Sequence, residues 1–415
     1  MSNKKELFLQ ILSQDKINQA EFEKACFQGV PDGSGLRSTC WKILLNYLPF
    51  CTSDWDDVLT KQRNAYNQFI RTMIVDPNQS QDISDHPLST STNSTWSEYF
   101  KENEVLSQID KDVRRLCPDL SFFQQPTKFP ASFCSQSLRT RVEQANLQAM
   151  QVTQSKAGGS QLIKPKKKYS DDDCYQILPQ GQEAHWEVCE RILHIFALLN
   201  PGIAYVQGMN EILGPIYYTF VTDSKESEVQ HAEADAFFCF TGLMSEIKDN
   251  FIKILDNSQC GITHNMDSLM TMLYQNDPQL HDAITERGIK PQFFSFRWLT
   301  LLLSQEFLYP EIQRLWDSFF ADSDRFKFLL YFCCAMLVAQ RTRLINGDFI
   351  DNMKVLQRYP IETDIYQLLQ LACQIKDGKL ILHTVPTKEN PVVPNNSSSG
   401  RSGILGSLFS RAKNR

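Results

Sequence analysis

Apolar residues recur at the three- and four-residue spacing of an α-helix through most of this chain, most densely from Glu183 onward. The strict alternation of apolar and polar residues that is typical of a half-buried strand is nearly absent. The chain is therefore predicted to be all-α. The helices are predicted over 4–26 (as one or two short elements), 36–48, 97–117, 183–199, 208–221, 230–256, 262–274, 278–286, 291–307, 311–319, 325–341, 347–356 and 362–375. No segment repeats at a fixed period, so a regular helical solenoid is not expected.

Two long insertions and a tail are predicted to interrupt or follow these helices. Residues 75–94 lack apolar periodicity and are rich in polar residues, which indicates a loop insertion. Residues 123–172 form a second insertion of similar character, in which we expect at most a short helix near 138–152. Residues 385–415 are predicted to form a flexible, disordered tail.

The bulk composition excludes several classes of function. The net charge of −6 gives no reason to expect nucleic acid as a partner. The 12 cysteines form no C-x-x-C pair and no zinc spacing with histidine, so we expect no metal site and a reducing, cytoplasmic environment. The polar start Met1–Glu6 does not resemble a secretory leader, and the longest apolar run, Phe328–Ala339, is too short for a transmembrane segment.

Two short motifs far apart in the chain offer one arginine and one glutamine. They are I-x-x-D-x-x-R over Ile109, Asp112 and Arg115, and Y-x-Q-G over Tyr205, Gln207 and Gly208. GTP hydrolysis uses an arginine to neutralise charge on the phosphate oxygens and a glutamine to orient the attacking water. If the two motifs converge in the fold, the chain could complete the active site of a GTPase that itself holds the nucleotide.

Each motif taken alone also has a structural explanation. Arg115 precedes Pro118 and is predicted to lie in the last turn of its helix, where a basic side chain complements the helix dipole. Asp112 lies three residues earlier, on the same side, where it could hold the guanidinium or the nearby backbone. Gln207 follows the turn signal of Asn200–Gly202 and could be an ordinary polar residue of the next first turn. Singly, both motifs fit structural roles better than chemical ones.

A third motif lies upstream of both. Gly29 and Pro31 are followed by Arg37 and Trp41 in the pattern L-R-x-x-x-W. Arg37 and Trp41 are four residues apart, on one face of a predicted helix. We expect the arginine to stack on the tryptophan at the helix start, which is a structural role.

In this order, the three motifs resemble the TBC domain of Rab GTPase-activating proteins. The resemblance covers roughly residues 29–345 and continues in Phe296–Trp298 and Arg314–Phe319. It implies a wholly α-helical fold in which Arg115 is an arginine finger and Gln207 a glutamine finger. The residues that it places around these fingers are Ile109, Asp112, Tyr205 and Gly208, with Arg37 and Trp41 as a structural motif. The sequence departs from the family at Leu116, where threonine is common, and in the long stretch between the two finger motifs. Both departures are expected to affect which Rab is bound.

The resemblance also implies a division of the chain. Residues 1–28 would be a helical lead-in to a single large TBC domain over 29–345, which contains both insertions. Residues 346–384 would form C-terminal helices packed on this domain, and 385–415 the tail.

The function implied by the resemblance is GTPase activation without an independent catalytic site. The partner would be a GTP-bound Rab, which binds GTP and Mg²⁺ itself, so the chain would need no cofactor or metal of its own. It would regulate vesicle trafficking from the cytoplasm and contact membranes peripherally through its partner. The alternative is a non-catalytic TBC-fold module that scaffolds a Rab or another trafficking partner. A helical adaptor with no link to GTPases would require the three motifs to coincide by chance.

Overall fold

A computed structural model shows that the chain folds as an array of helices. The structure describes residues 2–33, 35–74, 95–131, 137–145, 178–179, 181–223, 225–252, 261–360 and 362–380. No strand occurs in these ranges, so the predicted all-α fold is confirmed. The insertion at 75–94, most of the second insertion and the tail lie outside the described residues.

Eighteen helices are numbered here in chain order. They are α1 (Ser2–Leu12), α2 (Gln19–Phe27), α3 (Arg37–Leu44), α4 (Trp55–Met73), α5 (Thr95–Val113), α6 (138–145), α7 (His185–Leu199), α8 (Met209–Thr222), α9 (Glu226–Val229), α10 (Ala232–Ile247), α11 (Ile262–Asn276), α12 (Pro278–Glu286), α13 (Ser295–Thr300), α14 (Tyr309–Phe320), α15 (Lys327–Ala339), α16 (Arg341–Asn346), α17 (Phe349–Gln357) and α18 (Ile365–Lys376). None of these helices is long and apolar enough to cross a lipid bilayer.

The centre of the fold is α7, in which every residue from His185 to Ala197 is buried. It packs against α5, α8 and α10, which lie around it. Helix α15, packed on α11 and α18, is also mostly buried and is apolar along most of its length, as expected of a helix in the core. The site described below forms where α5 ends and α8 begins, so it rests on this central helix.

Several helix starts follow from local capping chemistry. Asp277 accepts a hydrogen bond from the backbone N–H of Leu280 at 3.1 Å, and Pro278 occupies the first turn of α12. Asp348 and Asp364 cap α17 and α18 in the same way. These signals explain why the C-terminal helices begin close to the predicted positions.

The predicted helix over 291–307 is right only for Ser295–Thr300 and wrong on both sides of it. The structure has a 3₁₀ turn at Pro291–Phe293, the short α13, and then non-helical turns over 301–306. Leu302 and Leu303 adopt left-handed backbone conformations with φ of 50° and 62°, which no helix tolerates. An unbroken apolar run does not distinguish a buried helix from a buried turn, and here the chain turns.

Helix α4 is absent from the predicted helices. Along its 19 residues only Tyr66 and Ile70 are buried, so its apolar stripe is thin and its sequence is largely polar. The predicted helix over 230–256 is also too long, because α10 ends at Ile247 and a 3₁₀ turn follows it. The short helix expected near 138–152 is present as α6 within the described residues.

Candidate functional site

The first motif lies across the end of α5. Ile109 is fully buried and fixes the helix, which ends at Val113. Arg115 was predicted to lie in the last turn of the helix. It lies instead in the turn that follows the helix. Its backbone N–H donates to the carbonyl of Asp112 at 3.2 Å, and Cys117 then takes a positive φ of 45°. We call residues 114–117 the arginine loop.

The Arg115 side chain projects from this loop into solvent. It is 66% exposed, and its Nε donates to the carbonyl of Lys111 at 3.0 Å. Its Nη2 lies 3.5 Å from Oδ1 of Asp112, at the outer limit of a hydrogen bond. Asp112 is buried and contacts one edge of the guanidinium, so most N–H donors of Arg115 remain available.

The neighbouring Arg114 has a different environment. Its guanidinium pairs with the carboxylate of Asp110 at 2.9 Å and lies 4.4 Å above the ring of Trp186. These contacts hold Arg114 against α5 and α7. The adjacent arginines therefore point in different directions, and of the two only Arg115 presents its charge outward.

The second motif lies in the connection between α7 and α8, residues 200–208, which we call the glutamine loop. Gln207 is exposed, at the turn directly before α8. Gly208 follows with a φ of 102°, a conformation that favours glycine. A Cβ at Gly208 would lie 2.8 Å from Cδ2 of Leu301, so the turn over 301–306 packs directly on the glutamine loop. The position of Gln207 thus depends on Gly208, because the next residue must adopt a left-handed conformation and has no room for a Cβ beside Leu301.

A buried hydrogen-bond network joins the two loops. The hydroxyl of Tyr205 donates to Oδ2 of Asp112 at 2.9 Å and lies 3.2 Å from Oδ1 of Asn210. Nδ2 of Asn210 is 3.4 Å from the backbone carbonyl of Asp112. Burial and the Asp112 carboxylate raise the pKa of Tyr205, so its hydroxyl remains a donor. The structure therefore brings Asp112 of the first motif and Tyr205 of the second into direct contact.

Sequence reasoning missed two polar residues of this network, Asn210 and Glu211. Nδ2 of Asn210 also donates to Oε1 of Glu211 at 3.1 Å. Both residues lie within three positions of the second motif, so their closeness to it was a usable signal.

Leu116, the departure from the family pattern, faces the core. It is fully buried, and a Cβ added to Gly214 of α8 would approach its Cδ1 to 3.1 Å. Leu116 therefore packs the arginine loop onto α8 and presents no surface to a partner. The expectation that this residue affects the choice of partner finds no support in its position.

The third motif is held by a residue that lies far away in the chain. Nε of Arg37 and Nε1 of Trp41 both donate to Oδ1 of Asp317 in α14, at 3.1 and 2.8 Å, and the N–H of Val30 donates to Oδ2 at 2.8 Å. Trp41 packs against the ring of Trp316 instead of stacking with Arg37. The expected stacking is thus replaced by a shared carboxylate, and both residues are buried.

No group of three or more histidine, cysteine or acidic side chains is arranged to hold a metal ion in the part of the chain that the structure describes. The exposed, chemically capable side chains of the site are Arg115 and Gln207. The arrangement presents an exposed cation and an exposed amide on two loops that the Tyr205–Asp112 hydrogen bond joins.

A family model and several curated relatives match this chain. The model of the Rab-GTPase-TBC domain family matches residues 136–345, which include Gln207 and begin after Arg115. TBC1 domain family member 13 of Mus musculus is 52% identical over 390 residues, covering 90% of this chain and 97% of that protein. A TBC domain-containing protein of Schizosaccharomyces pombe is 34% identical, covering 89% of this chain and 72% of its own length.

Solved structures show a similar fold. The Ypt/Rab-GAP domain of Gyp1p superposes with a TM-score of 0.64, covering 91% of this chain and 98% of that chain at 20% identity. The Chlamydomonas flagellar RabGAP TBC domain superposes with a TM-score of 0.51 at 14% identity, covering 90% of both chains. At these identities the likeness concerns the fold.

Proposed function

We propose, from the premise that this chain belongs to the Rab-GTPase-TBC domain family, that it is a GTPase-activating protein for a Rab-family small GTPase. In this proposal Arg115 is an arginine finger and Gln207 a glutamine finger, both supplied in trans to the GTP-bound partner. The chain would have no independent catalytic site, because the partner would bind GTP and Mg²⁺.

The observation that carries the proposal is the bond between Tyr205 and Asp112. It connects the loop of Arg115 to the loop of Gln207 at 2.9 Å, with both of its members buried. A protein that only needed to bind a partner would not require an exposed arginine and an exposed glutamine on two loops fixed to one another. Preorganisation of this kind supports a catalytic role, because groups aimed in advance lose little entropy during reaction.

Arg115 would act on the charge that develops in the transition state. As the bond to the γ-phosphoryl group loosens, negative charge accumulates on the phosphate oxygens, and a guanidinium can contact two of them at once. The exposed Nη groups of Arg115 are available for this contact, while its Nε remains bonded to the Lys111 carbonyl. In Ras, an arginine finger increases the rate of hydrolysis by a factor of about 10³–10⁵.

Gln207 would orient the attacking water. Its amide can accept a hydrogen bond from the water and donate another, which fixes the direction of attack. The left-handed Gly208 and the packing of Leu301 hold the loop that carries it. In this scheme Gln207 takes over the role of the partner's own switch glutamine.

The second candidate is a non-catalytic TBC-fold module that binds a Rab or another trafficking partner as a scaffold. This alternative predicts binding without acceleration. The cellular role proposed with either function is regulation of vesicle trafficking in the cytoplasm, with recruitment to membranes through the bound partner.

The test is single-turnover GTP hydrolysis by a panel of purified Rab GTPases, with and without the full chain. We expect acceleration of at least one Rab. Gln207→Ala and Arg115→Lys should each abolish most of it, because lysine retains the charge but not the planar fork.

Arg343→Ala is the matched control, since Arg343 is another exposed arginine, in α16, outside the site. Acceleration that survives both finger substitutions undiminished would refute the assigned roles. Tight binding to a Rab without acceleration of any panel member would favour the scaffold.

A further inference from the structure

Glu211 lies at one end of the network that joins the two loops, yet no motif includes it. It belongs to the first turn of α8, four residues after Gln207, and its side chain is partly buried. Oε1 of Glu211 accepts a hydrogen bond from Nδ2 of Asn210 at 3.1 Å. The Glu211 carboxylate therefore holds the side-chain amide of Asn210 at the start of α8.

The contacts of Asn210 extend this link to the arginine loop. Its Nδ2 also faces the backbone carbonyl of Asp112 at 3.4 Å, and its Oδ1 lies 3.2 Å from the hydroxyl of Tyr205. Asp112 in turn lies 3.5 Å from the guanidinium of Arg115. A chain of polar contacts thus runs from Glu211 through Asn210 and Asp112 to Arg115.

We propose that Glu211 is a positioning residue for Arg115, and that its protonation loosens the arginine loop and lowers GTPase activation. This inference rests on the proposed function for its effect on hydrolysis. Its structural consequence, a change in the mobility of the arginine loop, can be measured on the free protein.

The hydrogen bonds of Glu211 explain why its protonation should loosen the arginine loop. A carboxylate that accepts from an amide makes a charge-assisted bond, which is roughly twice as strong as the bond that a neutral acid makes. The deprotonated Glu211 therefore fixes the orientation of the Asn210 amide, whose other contacts reach Asp112 and Tyr205. The protonated acid holds the same amide weakly, so the arginine loop gains freedom.

The pKa of Glu211 lies near neutral pH, so its protonation changes within the pH range in which hydrolysis can be measured. Burial raises its pKa from the ordinary value of 4.5 to about 7, the amides of Gln305 and Asn210 oppose this rise, and the Asp112 carboxylate adds to it. Its position in the first turn of α8 also favours the charged form through the helix dipole. The proton is therefore lost as the pH rises through about 7.

Other titratable groups face Glu211 from each neighbouring element. Asp112 lies at the end of α5, Cys117 in the arginine loop, Tyr205 in the glutamine loop and Tyr309 at the start of α14. Burial raises the pKa of the Cys117 thiol to about 11 and raises the pKa of both tyrosines. These three groups stay protonated at neutral pH, and Asp112 is engaged by Tyr205 and Arg115.

The effect on stability runs opposite to the effect on activity. A carboxyl group whose pKa is higher in the folded state than in the unfolded state stabilises the fold when protonated, and this contribution is lost between about pH 4.5 and 7 as the pH rises. Glu211→Gln should therefore not lower the unfolding temperature at pH 8, while it removes the charge that orients Asn210. A residue with a merely structural role would lose stability and activity together.

The experiment compares the full-length parent, Glu211→Gln and the control Glu226→Gln, which changes an exposed glutamate outside the site. Backbone hydrogen exchange of residues 109–117 is measured on the free proteins at pH 8. We expect several-fold faster exchange in Glu211→Gln alone, with an unfolding temperature no lower than that of the parent. Unchanged exchange, or equal losses of stability and protection, would overturn the proposal.

The pH dependence of hydrolysis completes the test. With an accelerated Rab, kcat of the parent should fall by about three- to tenfold between pH 8 and pH 6, with little change in KM, as expected for weakened positioning. Glu211→Gln should remain at the low-pH level throughout, and Glu226→Gln should follow the parent. A Glu211→Gln profile that retains the parent's step would refute the inference. If no Rab is accelerated at any pH, the proposed function fails, while the exchange result still decides the role of Glu211.

Discussion

Arg37 and Arg115 show how differently two regions of this molecule use the same side chain. Arg37 is 2% exposed and bonds Asp317 at 3.1 Å, Asp32 at 2.6 Å and the carbonyl of Val30 at 2.8 Å. Arg115 is 66% exposed, with one backbone acceptor and a distant carboxylate. A guanidinium whose donors are satisfied within the chain fixes the fold, whereas one with free donors can bind an anionic ligand.

The surroundings of the two arginines differ in the same way. Asp317 is fully buried and accepts from the side chains of Arg37 and Trp41 and from the backbone of Val30, so α3, the connection before it and α14 are joined at one carboxylate. The partner of Arg115 is also buried, but it is bonded to the other loop of the site. The first cluster therefore supports tertiary structure, and the second supports the geometry of two exposed side chains.

Arg115→Ala should produce the largest effect on activity and almost none on stability. We expect the rate of accelerated hydrolysis to fall by a factor of about 10³–10⁵. This corresponds to an increase of about 4–7 kcal/mol in the activation free energy. Because the side chain is largely exposed, the free energy of unfolding should stay within about 0.5 kcal/mol of the parent. Single-turnover hydrolysis and urea unfolding measure the two quantities. A large loss of stability would show that Arg115 belongs to the fold.

Asp317→Ala should produce the reverse pattern. It leaves the buried Arg37 without its carboxylate, and breaking such a buried pair costs about 3–5 kcal/mol. Urea unfolding should show this loss, while hydrolysis per folded molecule should remain close to the parent value. Activity that falls further than the folded fraction would contradict the separation of the two regions.

The sequence was sufficient to predict the helical fold and the family because both depend on local patterns. Helical spacing is visible within a dozen residues, and each motif is contained in a short stretch. The partner of Arg37 could not be predicted in this way, because Asp317 is 280 residues away and only the packed fold brings it to α3. The stacking expected between Arg37 and Trp41 considered only neighbours on one helix.

The sequence motifs proposed the residues of the candidate site but did not indicate the contacts that connect them. Nothing in the sequence indicates that Tyr205 reaches Asp112, because 93 residues separate them. The turn over 301–306 was also hidden, since Leu301–Leu303 resemble the interior of an apolar helix. Packing of Leu301 against Gly208 and the left-handed conformations of the next two leucines form this turn, and propensity alone does not predict them.

Tyr205→Phe tests whether a buried bond can belong to the site rather than the core. It removes the hydroxyl that joins the two loops, and a hydrogen bond to a charged group contributes about 1.5–3 kcal/mol. Tyr47→Phe is the matched control, because its hydroxyl donates to the buried Asp235 at 2.8 Å, away from the site. We expect similar losses in urea unfolding for both, and a lower kcat of hydrolysis for Tyr205→Phe alone. Equal kcat values for the two variants would show that the link between the loops has no role in activation.

Gly208→Ala should have a modest effect on stability, and it concerns both the fold and the candidate site. A left-handed conformation disfavours alanine by about 1–2 kcal/mol, and the added Cβ would also displace the end of the Leu301 side chain. Gly288→Ala is the control, because Gly288 has a φ of 72° and open space around it, away from both loops. Both variants should lose similar stability in urea unfolding. Only Gly208→Ala should slow hydrolysis, since relief of its strain moves Gln207, whereas an equal loss of activity in Gly288→Ala would mean that activation follows global stability instead of loop geometry.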